Sequence, residues 1–140
     1  MTGEHVDTFQ ASVERCLGSP SFIKDFYDRF TGTSAAIREK FRDTDFERQH
    51  RAMADSLHVM ALAVQGGPDN LGRHAMKRLA ERHKEMDISP AMYDVWLDCM
   101  LQTARTHDPQ FSDAVERAWR ETLAPAIETM RAGTPFISQK

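Results

Sequence analysis

Apolar residues in this chain recur three or four positions apart in one segment after another, and this spacing restricts the fold more than any other feature. Residues 5–17 show it with Phe9, Val13 and Cys16 on one face. No stretch alternates apolar and polar residues for long enough to make a convincing β-strand. The pattern therefore predicts an all-α fold.

Start and stop signals divide the chain into about seven helices. Ser19-Pro20, Ser89-Pro90 and Asp108-Pro109 each combine a capping residue with a proline suited to the first helical turn. Thr44-x-x-Glu47 has the spacing of a capping box and is expected to open a long helix ending before Gly66. The other helices are expected at about residues 5–17, 35–40 and 70–85.

Length and charge exclude several classes of protein. The 140 residues suffice for one domain with a core, and we expect the tail at 133–140 to be loose. A net charge of −3 argues against nucleic acid or an anionic membrane as the main partner. The N-terminus lacks the basic and apolar pattern of a secretory signal, so a cytoplasmic protein is expected. Cys16 and Cys99 do not form a disulfide framework.

The stretch from Leu79 to Leu101 contains the most informative histidine. Counting back at helical spacing, His83 shares a face with Leu79, Ala75 and Leu71. Three interpretations remain open at this point. The imidazole is a core side chain hydrogen-bonded to a carbonyl, a histidine at a helix C-terminus favoured by the helix dipole, or an axial ligand to haem iron, as in globins.

The unequal helix lengths suit a globin better than a four-helix bundle. Specific motifs point the same way. Phe26-Tyr27-Asp28-Arg29-Phe30 resembles the second-helix motif of flavohaemoglobins and bacterial single-domain haemoglobins. Ile37-Arg38-Glu39-Lys40-Phe41 and Ile88-Ser89-Pro90-Ala91-Met92-Tyr93 resemble two further segments of that family. The resemblance covers about residues 5 to 132, nearly the whole chain.

This resemblance implies a globin fold around a cleft that holds haem b. His83 corresponds to the proximal ligand of the metal, and Tyr27 and Gln49 correspond to the polar residues of the distal side. The other residues that the resemblance and the pattern place around the cofactor are Phe41, Met53, Leu57, Leu79, Tyr93 and Trp96. The family's final-helix glutamate is absent, because its ungapped position is Thr134 here.

Two details stay open. Gln49 and His50 flank the apolar face of the same predicted helix on opposite sides, so either side chain could face the iron. If His50 is the inward one, it could bind the iron itself. Arg42, Lys77 and Arg78 are alternative partners for the haem propionates. The remaining histidines, which we expect at the surface, are His5, His58, His74 and His107.

The resemblance implies reversible binding of dioxygen and other diatomic gases, such as nitric oxide or carbon monoxide. It also implies possible nitric oxide dioxygenase activity. A separate reductase would supply the electrons, because we expect no flavin domain in this chain. A monomer or homodimer is expected. The alternatives are a haem-based gas sensor acting through a partner protein, and a haem-free interaction domain with a cleft filled by Phe41, Phe46 and Met53.

Overall fold

The computed structural model describes residues 3–65, 78, 81 and 89–131. This part of the chain contains six helices and no strand, which confirms the predicted all-α class. The helices are α1 (Gly3–Leu17), α2 (Phe22–Gly32), α3 (Ala35–Lys40), α4 (Phe46–Gln65), α5 (Pro90–His107) and α6 (Asp113–Arg131). The helix predicted at residues 70–85 lies outside the described residues, except for Arg78 and Glu81, which are helical and exposed.

Each helix buries the apolar face that its spacing predicts. Helix α1 packs against α4 and α6, while α2 packs against α3 and α5. Phe9 of α1 meets Trp119 of α6 edge to face, with ring centroids 4.9 Å apart. Both side chains are completely buried, as are Phe26 of α2 and Leu57 of α4. Such a burial is worth about 1.5–3 kcal/mol for a large apolar side chain, so these contacts hold the helices together.

A buried carboxylate joins three helices at the end of α5. Asp108 accepts a hydrogen bond of 2.6 Å from the Ser12 hydroxyl and two from Arg15, at 2.6 and 3.0 Å. The Gln110 backbone N–H donates to the same group at 2.8 Å, and the Trp119 indole donates to Ser12 at 2.8 Å. Burial alone would raise the pKa of Asp108, but these donors outweigh burial and hold it below its usual value.

Three of the predicted helix starts are wrong, and the fourth is confirmed. Helix α5 starts at Pro90 after Ser89, as predicted. Helix α2 starts at Phe22 rather than at Pro20, and α6 starts at Asp113 rather than at Pro109. Helix α4 starts at Phe46, because Asp45 rather than Thr44 caps it. Asp108 does not cap α6, since its carboxylate is occupied by Arg15 and Ser12.

The expectation that His107 lies at the surface is also wrong. Only 10% of its side chain is exposed. One ring nitrogen lies 2.6 Å from the Ser19 hydroxyl and the other lies 2.6 Å from the Asp25 carboxylate. These partners sit in the α1–α2 corner and in α2, so the pair His107–Asp108 fastens the end of α5 to both helices. Among the described helices, none is long and apolar enough to cross a bilayer.

We expect Asp108→Asn to lower the free energy of unfolding by about 3 kcal/mol near neutral pH, because it leaves Arg15 without its anionic partner. The carboxylate stabilises the fold above its unfolded pKa of about 3.9, and this contribution is lost as the pH falls through the lower folded pKa. The difference between wild type and variant should therefore shrink in acid. Urea unfolding at pH 7 and pH 3 measures both effects.

The matched control for this substitution is Asp28→Asn. Asp28 forms an exposed ion pair with Lys24 at 2.8 Å, and an exposed pair contributes little to stability. We expect this variant to unfold at nearly the wild-type urea concentration. Equal losses in the two variants would contradict a special role for the buried carboxylate.

Candidate functional site

A cavity of about 300 Å³ lies between α2, the α3–α4 region, α5 and α6. Its volume is at the lower end of the range of about 300–1000 Å³ that is usual for small-molecule and cofactor pockets. Most of its wall is aromatic or aliphatic. The described residues that form it are Tyr27, Phe30, Ile37, Lys40, Phe41, Thr44, Gln49, Ala52, Met53, Ser56, Met60, Met92, Tyr93, Trp96, Ile127 and Met130.

Tyr27 is packed on several sides by other rings. Phe26 meets it edge to face at 4.9 Å between centroids, and Phe41 and Phe46 do the same at 5.5 and 5.6 Å. The His50 ring is nearly parallel to it, at 5.5 Å and 11°. Only 3% of Tyr27 is exposed. Contacts of this kind add about 0.5–1.5 kcal/mol per aromatic pair beyond the burial of area, so the phenol ring has little freedom to move.

The hydroxyl of Tyr27 accepts a hydrogen bond of 2.9 Å from the Gln49 side-chain amide. Its own hydrogen remains available, because no acceptor for it occurs among the described residues. Burial raises the pKa of Tyr27 to about 12, although the bond from Gln49 lowers it somewhat. The group is therefore a neutral donor on the cavity wall throughout the physiological range.

Besides Gln49 and the two tyrosines, the polar residues of the described cavity wall are Lys40, Thr44 and Ser56. Lys40 is exposed and Thr44 is half-buried, so the cavity reaches the surface at the end of α3. Ser56 lies further along α4, with its hydroxyl 3.7 Å from the Met53 sulfur. An apolar wall, one inner donor pair and a cation at the mouth match the chemistry of a flat apolar cofactor with acidic edge groups. The residues present thus fit haem.

Comparison with known proteins agrees with this geometry. The globin family model matches residues 23–130, which is more than half of the chain. The chain belongs to the globin family. A globin holds haem and binds a diatomic gas, so membership supports a haem-type gas-binding protein.

Two individual proteins are similar to this globin. A flavohemoprotein of Vibrio cholerae serotype O1 is 26% identical over 125 residues, which cover 85% of this chain but only 31% of that protein. A crystal structure from Pseudomonas aeruginosa PAO1 covers 93% of this globin and 98% of its own chain, with 28% identity and a TM-score of 0.86. That protein is described as structurally highly homologous to a human hemoglobin. The expected globin fold is therefore confirmed.

Most of the site residues predicted for this globin lie together on the cavity wall. They are Tyr27, Phe41, Gln49, Met53, Tyr93 and Trp96. Leu57 is completely buried in the core and is not part of this wall. Leu79 and His83 lie outside the described residues, so their roles stay predictions. Burial raises the pKa of Tyr93, which keeps its hydroxyl neutral as well.

The two candidates for the distal position occupy different places. Gln49 is on the cavity wall and contacts the Tyr27 hydroxyl, whereas His50 stacks on the Tyr27 ring and also meets Phe46 edge to face at 6.0 Å. Phe46, which would fill the cleft of a haem-free domain, is 36% exposed because it is the first residue of α4.

Among the described residues, one cation on the cavity wall was missed by sequence reasoning. Lys40 lines the cavity, whereas Arg42 forms ion pairs with Glu39 at 2.5 Å and Asp43 at 3.7 Å. Of the other two candidates for the propionates, Arg78 is exposed and Lys77 lies outside the described residues. The signal that could have identified Lys40 is its position directly before Phe41, at the end of a short helix.

We expect an ultraviolet titration of the folded protein to show no tyrosinate at the usual pH of about 10, because Tyr27 and Tyr93 are the chain's two tyrosines and both pKa values are raised. Tyr27 should ionise at about pH 12, and Tyr27→Phe should remove that step. Since the unfolded chain ionises first, stability should fall as the pH rises above about 10. A native step near pH 10 would show that Tyr27 is hydrated.

Proposed function

We propose that this globin holds haem b in the cavity beside Tyr27 and reversibly binds dioxygen and other diatomic gases. The observation that carries this proposal is the Gln49–Tyr27 hydrogen bond of 2.9 Å on the wall of an otherwise mostly apolar cavity. The bond consumes an acceptor position of the hydroxyl, and its hydrogen has no acceptor within residues 3–65 and 89–131. A buried donor without an acceptor is costly, so a ligand that accepts this hydrogen is favoured there.

When bound, haem would supply the iron chemistry that holds a diatomic gas. Tyr27 would donate its hydroxyl hydrogen to a partly negative gas held beside it. Gln49 keeps the hydroxyl turned toward the cavity and adds a second polar group. Met53 and Phe41 make the rest of that side apolar, which limits the access of water and anions. This arrangement favours retention of a polarised gas and slow oxidation of the haem iron.

The strength of the Tyr27 contact decides how long the gas stays. A charge-assisted hydrogen bond is worth about 1.5–3 kcal/mol, against about 1 kcal/mol for a neutral one. At about 1.4 kcal/mol for each factor of ten, the contact slows release roughly 10- to 150-fold. Slow release with tight binding is therefore the behaviour that the geometry supports.

We assign the proximal position to His83, as the family resemblance implies. A metal-bound histidine normally donates its second N–H to a fixed partner, which orients the ring. For His83 this partner would be a backbone carbonyl near Leu79 or, indirectly, Tyr93, which is buried on the cavity wall. Lys40, exposed at the mouth, supplies positive charge for the acidic edge of the cofactor.

A second activity is the conversion of nitric oxide to nitrate with electrons from a separate reductase. The similarity to the Vibrio cholerae flavohemoprotein supports it, together with the Tyr27–Gln49 pair. This chain spans about a third of that relative's length, and a reductase is proposed as the source of the electrons. The wall of the cavity supplies the polar donors at which dioxygen and nitric oxide would meet.

The alternatives are less well supported. In a haem-free interaction domain, Phe41, Phe46 and Met53 would fill the cleft, but about 300 Å³ remains open beside Phe41 and Met53. Phe46 instead points partly into solvent. A gas sensor would use the same pocket and differ in its partner, so the pocket geometry favours neither sensor nor carrier.

We expect the protein purified from haem-replete cells to be red, with an intense haem absorption band, and His83→Ala to lose most of that band because the iron loses its protein ligand. The visible spectrum of the ferrous form, with and without carbon monoxide, measures this. The control is His58→Ala, since His58 is exposed and only 3.8 Å from Glu14 in a surface pair. A colourless wild type that remains folded would refute the proposal.

We expect Tyr27→Phe to speed dioxygen release at least several-fold, because the substitution removes the donor and keeps the ring. Stopped-flow measurement of release tests this. Carbon monoxide is the control ligand, since it carries less charge when bound and should be released at a rate that changes less. If both gases leave Tyr27→Phe at wild-type rates, Tyr27 is not the donor.

A further inference from the structure

Methionine side chains make up a notable part of the cavity wall. Met53, Met60, Met92 and Met130 line it, which is half of the eight methionines in the chain. Thioether sulfur is the softest and most easily oxidised group among apolar side chains, and oxidation converts it to a polar sulfoxide. A cavity that handles oxygen chemistry therefore has oxidisable groups in its wall.

Met53 lies between two polar residues of the pocket wall on α4. Gln49, Met53 and Ser56 recur at spacings of four and three on α4, so they share one helical face. The Ser56 hydroxyl lies 3.7 Å from the Met53 sulfur and 2.9 Å from the Met53 carbonyl oxygen. Met53 is only 9% exposed, yet the cavity that it lines reaches the surface at Lys40.

We propose that Met53 is a reversible oxidation site for hydrogen peroxide, and that its oxidation regulates the pocket by disturbing the Gln49–Tyr27 pair. The modification follows from the chain's own residues. The regulatory part rests on the proposed gas-binding function.

The reaction balances without any group beyond the thioether and the peroxide. A lone pair of the Met53 sulfur attacks one peroxide oxygen, so an S–O bond forms while the O–O bond breaks. The departing oxygen takes up the proton of the transferred oxygen and leaves as water. Sulfur is oxidised by two electrons and peroxide is reduced to water. Methionine sulfoxide reductases reverse the change.

The sulfoxide changes the hydrogen bonding of this helical face. Its oxygen is a much stronger acceptor than a thioether sulfur, and two donors are close along the same face. The Ser56 hydroxyl, which donates to the Met53 carbonyl oxygen at 2.9 Å, lies 3.7 Å from the sulfur, and the Gln49 amide lies one turn away. A bond from Gln49 to the sulfoxide competes with the bond to Tyr27, so the phenol loses the partner that orients it. Gas should then be released faster.

Peptide mass mapping tests the modification. The full-length, haem-loaded protein is kept under carbon monoxide, treated with hydrogen peroxide for increasing times, and stopped with catalase. We expect sulfoxide at Met53 to form at least several-fold faster than at Met100, which is completely buried and is not part of the cavity wall. Met60, only 3% exposed but on that wall, should also exceed Met100. Equal rates at Met53 and Met100 would overturn the proposal.

Dioxygen release, measured before and after the same treatment, tests the regulatory part. We expect treated wild type to release dioxygen several-fold faster, and a sulfoxide reductase to restore the original rate. Met53→Leu should give the same rate with and without peroxide. An unchanged rate in fully oxidised wild type overturns the regulatory part. A chain that takes up no haem would refute the proposed function, while the mass map would still decide whether Met53 is modified.

Discussion

The arrangement of the helices depends on one buried carboxylate. Asp108 follows the last turn of α5, and each of its oxygens accepts two hydrogen bonds, three of the four coming from Ser12 and Arg15 of α1 and the fourth from the nearby Gln110 backbone. A buried charge is tolerable only when its hydrogen-bonding capacity is used in this way. Because Ser12 and Arg15 are in α1 and Trp119 reaches Ser12 from α6, the carboxylate sets the positions of three helices at once.

This anchoring extends to the functional end of the molecule. His107, next to Asp108, contacts Asp25 of α2, so α5 and α2 are fastened together at one end. The same two helices carry Tyr27 and Trp96 on the cavity wall further along. Phe26 bridges them, with its ring 5.9 Å from Trp96 and 4.9 Å from Tyr27. The Tyr27 hydroxyl is thus held by a rigid framework of helices rather than by a loop, as preorganised sites require.

The periodicity of the sequence predicts the helices and the faces that they bury. Helical spacing places Tyr27 among apolar residues, and the short helix ending before Phe41 is visible in the pattern. The helix starts failed where a capping residue had a stronger partner elsewhere. Asp108 pairs with Arg15, which is 93 positions away, and no local pattern contains that information.

The same limit explains the other differences within the site. The sequence around His107 does not indicate that its side chain is buried, because Ser19 and Asp25 come together around it only after folding. Gln49 and His50 flank the apolar face of α4 on opposite sides, so the sequence does not distinguish their roles. In the fold, Gln49 donates a hydrogen bond to the Tyr27 hydroxyl, whereas His50 stacks on the Tyr27 ring. Side-chain roles that depend on a contact between distant segments cannot be read from spacing alone.

The size of the cavity indicates that the fold accommodates a bound molecule. An enclosed apolar void costs about 24 cal/mol per Å³, so about 7 kcal/mol is an upper limit for this cavity of about 300 Å³, which opens to the surface at Lys40. Small proteins are stable by about 5–15 kcal/mol in total, and a chain selected only for packing would not retain such a void. Water could occupy the polar part near Thr44 and Gln49, but the methionine and tryptophan walls offer it few hydrogen bonds. A bound flat cofactor removes the cost by filling the space and adds its binding free energy to the folded state.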